Sequence, residues 1–446
     1  MAKKELQNLR NQINKLDNKI LDLIDQRSHV VTKIGKLKDK SKGVIDQDRE
    51  QAILSRLTSA TAGKYSKNSI IRIWRELFEA SSKLQIDTKA SISTKRSIDS
   101  IDVYKGGGSK IKNLKNIVKL SSNENPLGPS KTILDSLNKK LNLNRYPEID
   151  GSTLRNKISE FHNIESNQII LGCGSDETLL FAALAFCQPG DEIIHAEHGF
   201  EMYSIISKIA GATSKIIKED ENFKINIKSI LNAVTPSTKI IYLANPNNPT
   251  GTYLTRREIV ELLKSLPKNI ILVLDGAYAE YVIKDDYDPG FSLADEFDNV
   301  VITRTFSKAY GLAGLRIGWC YSSEKVALIL NKVKGPFNTQ SISQEIAIIA
   351  LDDKDYLKKV IDNNHNIKNW FEEELKKLYI NTRSSEGNFS FIETSEEKAI
   401  KISKHLTNEG ILVRQLDSYG LPNCLRITIG TKQEMETTIK ALKKIS

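Results

Sequence analysis

Residues 303–318 of the chain read TRTFSKAYGLAGLRIG, and the rest of the sequence is best understood in relation to them. The apolar run before them, residues 299–302, is typical of a buried strand. Lys308 follows that strand among hydroxyls and glycines, where an amine can form a Schiff base with an aldehyde. Side chains suited to binding a phosphate group lie around it: Thr305, Ser307 and Arg316. Taken alone, the stretch fits an ordinary surface lysine in a Ser/Gly loop equally well.

From about residue 103 onward, short apolar segments alternate with helical patterns. Further strands are predicted at residues 169–172, 192–195, 238–243 and 269–274. This alternation predicts a mainly parallel sheet with its site at the carboxyl ends of the strands. Polar residues of unlike type follow those ends, in segments 174–177, 245–251 and 275–278. The first of these segments could bind phosphate at a helix N-terminus, although a plain capped helix explains it as well.

Together these residues resemble the aspartate-aminotransferase fold of pyridoxal-phosphate enzymes, and most closely the histidinol-phosphate aminotransferase family. The resemblance spans roughly residues 100–446 and rests on the strings PNNPTG and SKAYGLAGLRIG. It implies an α/β transferase fold of type I with pyridoxal 5′-phosphate as cofactor. A large domain with a mainly parallel sheet would cover about 130–340. A small α+β domain would combine about 103–129 with 341–446.

The same resemblance implies a role for each residue of the cofactor site. Lys308 would form the Schiff base and then serve as general base and acid. Asp275 would pair with the pyridinium nitrogen, and Asn248 and Tyr278 would bind the phenolate oxygen. Phe200 would stack on the cofactor ring. The phosphate would be held by a set of polar residues: Ser175, Asp176, Thr305, Ser307 and Arg316.

Substrate contacts also follow from the resemblance. Arg426 would hold the substrate α-carboxylate, and Arg414 would bind an anion at the distal end of the substrate. Asn125 is also expected to contact the substrate, and it stands where many histidinol-phosphate enzymes have a tyrosine near that anion. Tyr146 would reach into the cofactor site of a partner subunit, so this module is expected to form a dimer.

The first ninety residues carry a different pattern. Apolar residues recur with 3–4 spacing, which predicts a long helix with a coiled-coil-like seam: Leu6, Leu9, Ile13, Leu16, Ile20, Leu23, Val30, Ile34 and Leu37. Arg27 interrupts this seam, either as a register-setting residue in a dimer or as part of an anion site in a helical bundle. Lys38 is nearly in phase with Arg27 and about 16 Å further along the axis. Arg10 is too far away to share a ligand with Arg27 in one chain, but a symmetric dimer would let it serve the partner.

A second helix is expected from residue 46 and a third from about residue 66, each with polar interruptions on its inner face. With these, residues 5–86 resemble the all-helical chorismate mutase family. The matching residues are Arg10, Arg27, Lys38, Asp46, Arg49, Glu50, Ser81 and Gln85. The resemblance implies an intertwined three-helix dimer in residues 1–88, followed by a linker at 89–102. A pure coiled-coil dimerisation module is the alternative.

Rearrangement of chorismate to prephenate is pericyclic and requires a folded dicarboxylate with charge placed against the breaking ether oxygen. The resemblance implies that Arg10 and Arg27 hold the carboxylates. Lys38 and Gln85 would face the ether oxygen, and Glu50 and Arg49 would fix the hydroxyl side. Further substrate contacts would come from Asp46 and Ser81.

The fusion bears on the keto acid that the second module uses. Prephenate would offer an α-keto acid to Arg426 and a carboxylate to Arg414, so prephenate, or a phenylpyruvate-type keto acid made from it, is the expected substrate. Histidinol phosphate is the alternative. A ligand-sensing regulator is a third possibility, but Lys308, Asp275 and Arg426 are all present and no short helix-turn-helix spacing occurs.

Bulk properties agree with an enzyme acting on small anions. The net charge is +10, but lysines are scattered along the chain, which does not favour a nucleic-acid site. The four cysteines are far apart and show no metal-binding spacing. The longest apolar run is too short to cross a bilayer, and the N-terminus runs directly into a charged helix. We therefore expect a cytoplasmic homodimer that uses small-molecule substrates and no metal, nucleic acid or membrane partner.

Overall fold

A computed structural model describes residues 2–38, 46–60, 63–85, 94–104, 106–108, 117–137 and 144–445. The chain forms two compact units, residues 1–100 and 101–446. Among the described helices, none has the combination of length and apolar composition that a bilayer crossing requires.

The first unit contains the three predicted helices, α1 (Ala2–Leu37), α2 (Gln47–Ala60) and α3 (Lys67–Gln85). Helices α1 and α3 approach closely at Gly35, where a Cβ atom would lie 2.8 Å from Cγ of Gln85. Residues 39–45, between α1 and α2, lie outside the described residues. So does much of the predicted linker, but its later part contains a short helix, α4 (Arg96–Asp99), that the polar sequence did not predict.

The apolar seam of α1 is largely exposed in the single chain. Side chains along it have about half or more of their surface open to solvent: Leu6, Leu9, Ile13, Leu16, Ile20, Leu23 and Val30. Val31 on the same helix is buried, and so are Leu54 of α2 and Phe78 of α3. One copy of the unit therefore has a small core and a long apolar stripe that it does not cover itself.

The second unit contains two sheets. Its strands are β1 (Val118–Leu120), β2 (Ile169–Gly172), β3 (Glu192–Ala196), β4 (Thr213–Ile217), β5 (Thr238–Ala244), β6 (Ile271–Asp275), β7 (Val300–Thr305), β8 (Gly318–Ser322), β9 (Thr382–Arg383), β10 (Phe389–Glu393), β11 (Ile411–Leu416) and β12 (Leu421–Thr428). Its helices are α5 (Lys131–Ser136), α6 (Ser152–His162), α7 (Ser175–Phe186), α8 (Met202–Ile209), α9 (Ile227–Ala233), α10 (Arg256–Ser265), α11 (Phe291–Glu296), α12 (Glu324–Val333), α13 (Ser341–Asp352), α14 (Lys354–Lys377), α15 (Glu396–Asn408) and α16 (Lys432–Leu442).

The large lobe is built on a seven-stranded sheet with the order β2-β8-β7-β6-β5-β3-β4. Strand β8 runs antiparallel to both of its neighbours, and the remaining pairs are parallel. The predicted mainly parallel sheet is thus confirmed. Strands β6 and β7 are buried along their whole length, because helices cover the sheet on both faces.

Strand β7 is longer than its apolar run predicts. The expected segment, residues 299–302, becomes Val300–Thr305, and its last three residues are polar but buried. The guanidinium of Arg304 donates to the carbonyl oxygens of Gly276 at 3.0 Å and Pro289 at 3.1 Å. Because the guanidinium finds these acceptors, the strand can continue through a charged residue and bring Thr305 to the sheet edge.

The small lobe has a five-stranded sheet with the order β1-β11-β12-β10-β9. Strand β1 is parallel to β11, and the other pairs are antiparallel. Ile392, Leu425 and Ile427 of this sheet pack in one core with side chains from three helices. The helix residues are Phe371 of α14, Leu406 of α15 and Ile439 of α16.

Helix α13 begins at the boundary predicted between the lobes, at about residue 340. The prediction places it in the small domain, whereas its Ile346, Ala347 and Leu351 are buried in the core of the large lobe. Helix α14 then runs from Leu357, packed on the large lobe, to Leu375 in the small-lobe core. The two lobes are therefore joined along α14.

Candidate active sites

A cavity of about 210 Å³ lies at the carboxyl ends of β5, β6 and β7. Every residue predicted to bind the cofactor lines it, except Tyr146: Ser175, Asp176, Phe200, Asn248, Asp275, Tyr278, Thr305, Ser307, Lys308 and Arg316. These residues come from six separate segments of the chain, and the sheet topology brings them to one edge.

Lys308 lies just beyond the end of β7 and is half-buried. Its Nζ donates to the carbonyl oxygen of Ser122 at 3.3 Å and lies 5.7 Å from the ring centroid of Tyr278. The hydroxyl of Tyr278 accepts a hydrogen bond from Nδ2 of Asn123 at 2.9 Å. The amine thus lies at the cavity wall, in contact with groups from both lobes.

Asp275 ends β6, and its carboxylate is buried in the cavity wall. Oδ2 accepts from the hydroxyl of Tyr203 at 2.8 Å, and Oδ1 accepts from the hydroxyl of Thr303 at 3.0 Å. Burial raises the pKa of Asp275, and these hydrogen bonds oppose that increase. A buried carboxylate held by neutral donors is suited to pair with a cation that enters the cavity. Sequence reasoning missed Tyr203, because its spacing along α8 is that of a core residue.

The opposite side of the cavity has the features of a phosphate site. Arg316 donates through Nη1 to Oγ of Ser307 at 3.2 Å and through Nη2 to Oδ2 of Asp176 at 3.3 Å. Helix α7 begins here after Gly174, whose φ is +79°. A Cβ atom on Gly174 would lie 2.4 Å from Nη2 of Arg316. The close approach of glycine backbone, guanidinium and helix N-terminus forms a cradle that a phosphate monoester can occupy.

Arg426 lies beside the cavity on β12 and is buried. Its Nη1 donates to Oδ1 of Asn248, and its Nη2 donates to the carbonyl oxygen of Ser121 at 3.0 Å. Arg414 is its register partner on β11. Arg414 contacts Glu201, which directly follows Phe200, with an N–O distance of 3.6 Å. Sequence reasoning missed Glu201, since nothing in its local pattern indicates a contact more than two hundred residues away.

Two predicted site residues take other positions. Asn125, predicted to contact the substrate, uses both ends of its amide for backbone contacts. Its Nδ2 donates to the carbonyl of Ala309 at 3.0 Å, and its Oδ1 accepts from the amide of Leu127 at 2.9 Å. Both ends of the Asn125 amide thus have backbone partners, and its contact with a substrate stays a prediction. Tyr146 is 81% exposed, stacks on Phe337 with centroids 4.6 Å apart, and does not line the cavity of its own chain.

The first unit has its own polar cluster between α1 and α3. Arg27 donates through Nη1 to Oγ of Ser81 and lies 5.8 Å from the ring centroid of Phe78. Gln85 donates through Nε2 to the carbonyl of Ser81 at 3.4 Å, and its buried Oε1 has no hydrogen-bond partner within the described residues. A buried polar atom without a partner is costly, so this position is suited to accept a donor from a ligand.

The remaining predicted residues of the first unit differ in their exposure to solvent. Lys38 and Glu50 are half-buried, whereas Arg10 and Arg49 are exposed. Oδ1 of Asp46 accepts from the backbone amide of Arg49 at 2.9 Å, which is the geometry of a helix N-cap. The structure thus brings Arg27, Ser81 and Gln85 together directly.

The fold and these sites define a class of protein. The chain belongs to the class I and II aminotransferases, whose family model matches residues 115–442. The model of chorismate mutase type II matches residues 9–86.

Curated relatives are histidinol-phosphate aminotransferases. That of Roseobacter denitrificans is 42% identical over 355 residues, which are 79% of this chain and 98% of the relative. That of Ruegeria pomeroyi is 40% identical over 347 residues, 77% of this chain and 95% of the relative. The solved histidinol-phosphate aminotransferase of Sinorhizobium meliloti, in complex with pyridoxal 5′-phosphate, has a TM-score of 0.72 at 24% identity. That comparison covers 81% of this chain and all of the other, and it supports the fold alone.

The protein is therefore an enzyme with a chorismate mutase unit and an aminotransferase unit, and its cofactor is pyridoxal 5′-phosphate. The aminotransferase cavity fits that cofactor. Asp275 offers a buried carboxylate to a protonated ring nitrogen, the cradle at Gly174 and Arg316 accommodates a phosphate, and Lys308 offers an amine to the aldehyde.

Replacement of Gly174 by alanine is expected to weaken cofactor binding about 10- to 100-fold. Alanine would have to keep the positive φ of Gly174, which is strained for a residue with a Cβ atom. Its methyl group would also collide with the Arg316 guanidinium. Equilibrium dialysis of the cofactor against the purified protein measures the effect. Gly314→Ala is the matched control, because a Cβ atom there meets nothing within 4 Å. Equal cofactor affinity in Gly174→Ala and the unchanged protein would contradict the proposed cradle.

Proposed function

We propose that the helical unit converts chorismate to prephenate and that the α/β unit transaminates prephenate, or an aromatic keto acid made from it. The observation that carries this proposal is the pair of arginines on adjacent strands. Arg426 and Arg414 stand in register, so their side chains lie on the same face of the small-lobe sheet. A keto acid with a second carboxylate presents one anion to each. The covalent link to a mutase, whose product has that chemistry, supports the same substrate by association.

In the mutase unit, the guanidinium of Arg27 holds one carboxylate of chorismate, and Arg10 of a partner subunit holds the other. Lys38 and Gln85 face the ether oxygen, where negative charge develops as the bond breaks. Glu50 fixes the hydroxyl side, with contacts from Asp46, Arg49 and Ser81. The position of Arg27 beside Ser81 and Gln85 supports this assignment.

In the aminotransferase unit, Lys308 moves a proton to and from the substrate Cα. The bound cofactor supplies an electron sink for the electron pair that remains on Cα when the proton leaves. Asp275 keeps the ring nitrogen protonated, and Tyr203 and Thr303 hold that carboxylate in place. Asn248 and Tyr278 contact the phenolate oxygen. The assignment is supported by the position of Lys308, Asp275, Asn248 and Tyr278 around one cavity.

Both units act as homodimers in this proposal. The exposed apolar seam of α1 offers the surface for an intertwined dimer, in which Arg10 reaches the partner's site. In the α/β unit, the exposed Tyr146 reaches the partner's cofactor. Residues 1–88 form the mutase domain and 89–102 the linker. The partners are small molecules rather than nucleic acid or membrane, and the enzyme is cytoplasmic.

Histidinol phosphate is the second candidate substrate, favoured by the names of the curated relatives. It also has a distal anion for Arg414, but that anion is a phosphate with a charge near −2. The carboxylate of Glu201, 3.6 Å from Arg414, repels a phosphate more strongly than a second carboxylate. This contact is why we place prephenate first.

The test uses the purified dimer with its cofactor converted to the amine form. Prephenate, phenylpyruvate and imidazole-acetol phosphate are added separately, and the return of the aldehyde-form absorbance is followed. We expect the highest kcat/KM with prephenate. A higher value with phenylpyruvate would place a dehydration step between the two reactions. A higher value with imidazole-acetol phosphate would reject the proposal in favour of the second candidate.

A further inference from the structure

The two arginines on β11 and β12 create an electrostatic problem when no substrate is bound. Arg414 and Arg426 are direct register partners, and like charges in such a position destabilise a sheet. Arg426 is stabilised by Asn248 and by the carbonyl of Ser121. Both of those groups are neutral. They accept hydrogen bonds from Arg426, but neither of them neutralises its positive charge. A negative charge near Arg414 would relieve the repulsion.

Glu201 supplies that charge from the other lobe. Its carboxylate lies 3.6 Å from Nη2 of Arg414. Ser418 connects them further, since Nη2 of Arg414 donates to Oγ of Ser418 at 3.2 Å and that hydroxyl donates to Oε1 of Glu201 at 2.5 Å. The side chains of Arg414 and Glu201 are only 14% and 19% exposed. A pair with so little solvent access is screened less than a surface pair.

The surroundings of the pair are shared with the substrate site. Glu201 follows Phe200, which lines the cofactor cavity, and is the N-cap residue of α8. Two tyrosines lie within the same electrostatic field. The pKa of Tyr104 is raised first by partial burial and then by the charge of Glu201, while Arg414 and Arg426 lower it. Burial also raises the pKa of Tyr419, with Arg426 acting in the opposite direction and Glu201 in the same direction.

We propose that Glu201 determines substrate specificity by occupying Arg414 in place of a distal substrate anion. The inference rests on the proposed role of Arg414 in the aminotransferase reaction. An aminotransferase binds an amino donor and a keto acid in turn at one site. With Glu201 on Arg414, a neutral aromatic side chain meets a balanced ion pair. A substrate with a distal anion must displace Glu201, and the two lobes then lose one of their links.

The Arg414–Glu201 pair changes how much binding energy each class of substrate gains from Arg414. A neutral distal group leaves the pair intact and gains nothing from Arg414. A distal carboxylate replaces one carboxylate by another, so its net gain is small. A distal phosphate gains more from Arg414 but meets stronger repulsion while Glu201 remains nearby. Glu201 thereby reduces the difference in kcat/KM between substrates with a neutral distal group and substrates with an anionic one.

The substitution Glu201→Gln keeps the shape of the side chain and its acceptor for Ser418 but removes the charge. We expect kcat/KM for keto acids with a distal anion to rise about tenfold relative to phenylpyruvate, mainly through KM, because the charge pair contributes to binding rather than to chemistry. Glutarate and 3-phenylpropionate provide an equilibrium readout on the holoenzyme by calorimetry. Glutarate should bind more tightly to the variant, and 3-phenylpropionate should not.

Glu197→Gln is the matched control, since it removes an exposed carboxylate four residues earlier in the same segment. It should leave both ratios unchanged. General damage to the site would lower every rate together, so a selective gain for anions is diagnostic. If Glu201→Gln leaves the ratio of anionic to neutral ligands unchanged, the inference is wrong. If prephenate is not a substrate but the ratio still shifts for glutarate and imidazole-acetol phosphate, the specificity role stands and only the proposed substrate fails.

Discussion

Replacement of Lys308 by arginine is expected to reduce transamination about 10⁴-fold, the upper end of what a positioned acid–base group contributes. Arginine keeps the positive charge beside Ser122 and Tyr278. Its guanidinium does not lose a proton in proteins, so it can neither form the Schiff base nor accept the Cα proton. Stopped-flow measurement of the half-reaction with the preferred keto acid gives the size of the loss. The absorbance spectrum of the bound cofactor reports the missing Schiff base independently of activity.

The same protein contains its own internal reference for this substitution. Rearrangement of chorismate occurs in the other unit and should be unchanged in Lys308→Arg. Lys334→Arg is a suitable control, because Lys334 is also partly buried and donates to a backbone carbonyl, that of Ile149 at 3.1 Å. Transamination that survives at more than a few per cent in Lys308→Arg would mean that another group moves the proton.

The complementary change is Arg27→Met, which we expect to slow chorismate rearrangement about 10³-fold, the effect of removing a preorganised donor from a water-poor site. Methionine retains the unbranched stem and the helix propensity of arginine but cannot bind a carboxylate. The hydrogen bond from Arg27 to Ser81, which links α1 to α3, would also be lost. Loss of chorismate absorbance measures the rate, and circular dichroism checks that the helices remain.

Arg56→Met provides the control for Arg27→Met, since Arg56 is an exposed arginine on α2. Its mutase rate should equal that of the unchanged enzyme. Transamination should be unaffected in both variants. A mutase that retains its rate without Arg27 would favour the alternative in which this residue only sets the register of a helical dimer.

Much of the aminotransferase site could be predicted because its chemistry depends on local sequence. Gly174 and Gly318 must lack side chains, since a Cβ atom on either would collide with the cradle around Arg316 and Ser175. Because glycine is required at these positions, the glycines stand at fixed spacings from the polar residues of the site, and those spacings can be recognised in the sequence. The polar residues at strand ends were predictable for a similar reason, because parallel strands place their carboxyl ends at one edge.

Other features depend on contacts between distant segments, and a single sequence does not reveal those. The placement of α13 in the large lobe depends on which core its apolar face meets, and both cores were available. Asn125 was predicted as a substrate contact, but its partners are the backbone groups of Ala309 and Leu127. Tyr203 and Glu201 look like ordinary helix residues until the fold places Asp275 and Arg414 beside them.

Arg316 has a left-handed backbone, with φ of +50°, at the point where it reaches the phosphate cradle. A non-glycine residue in this conformation is strained, and a phosphate bound to the guanidinium would stabilise the folded form that contains it. Any ligand that binds only the folded chain raises its resistance to unfolding by mass action. Cells short of vitamin B6 would therefore lose more of this polypeptide to proteolysis. Because the mutase is part of the same polypeptide, vitamin supply would also set the rate of a rearrangement that itself needs no vitamin.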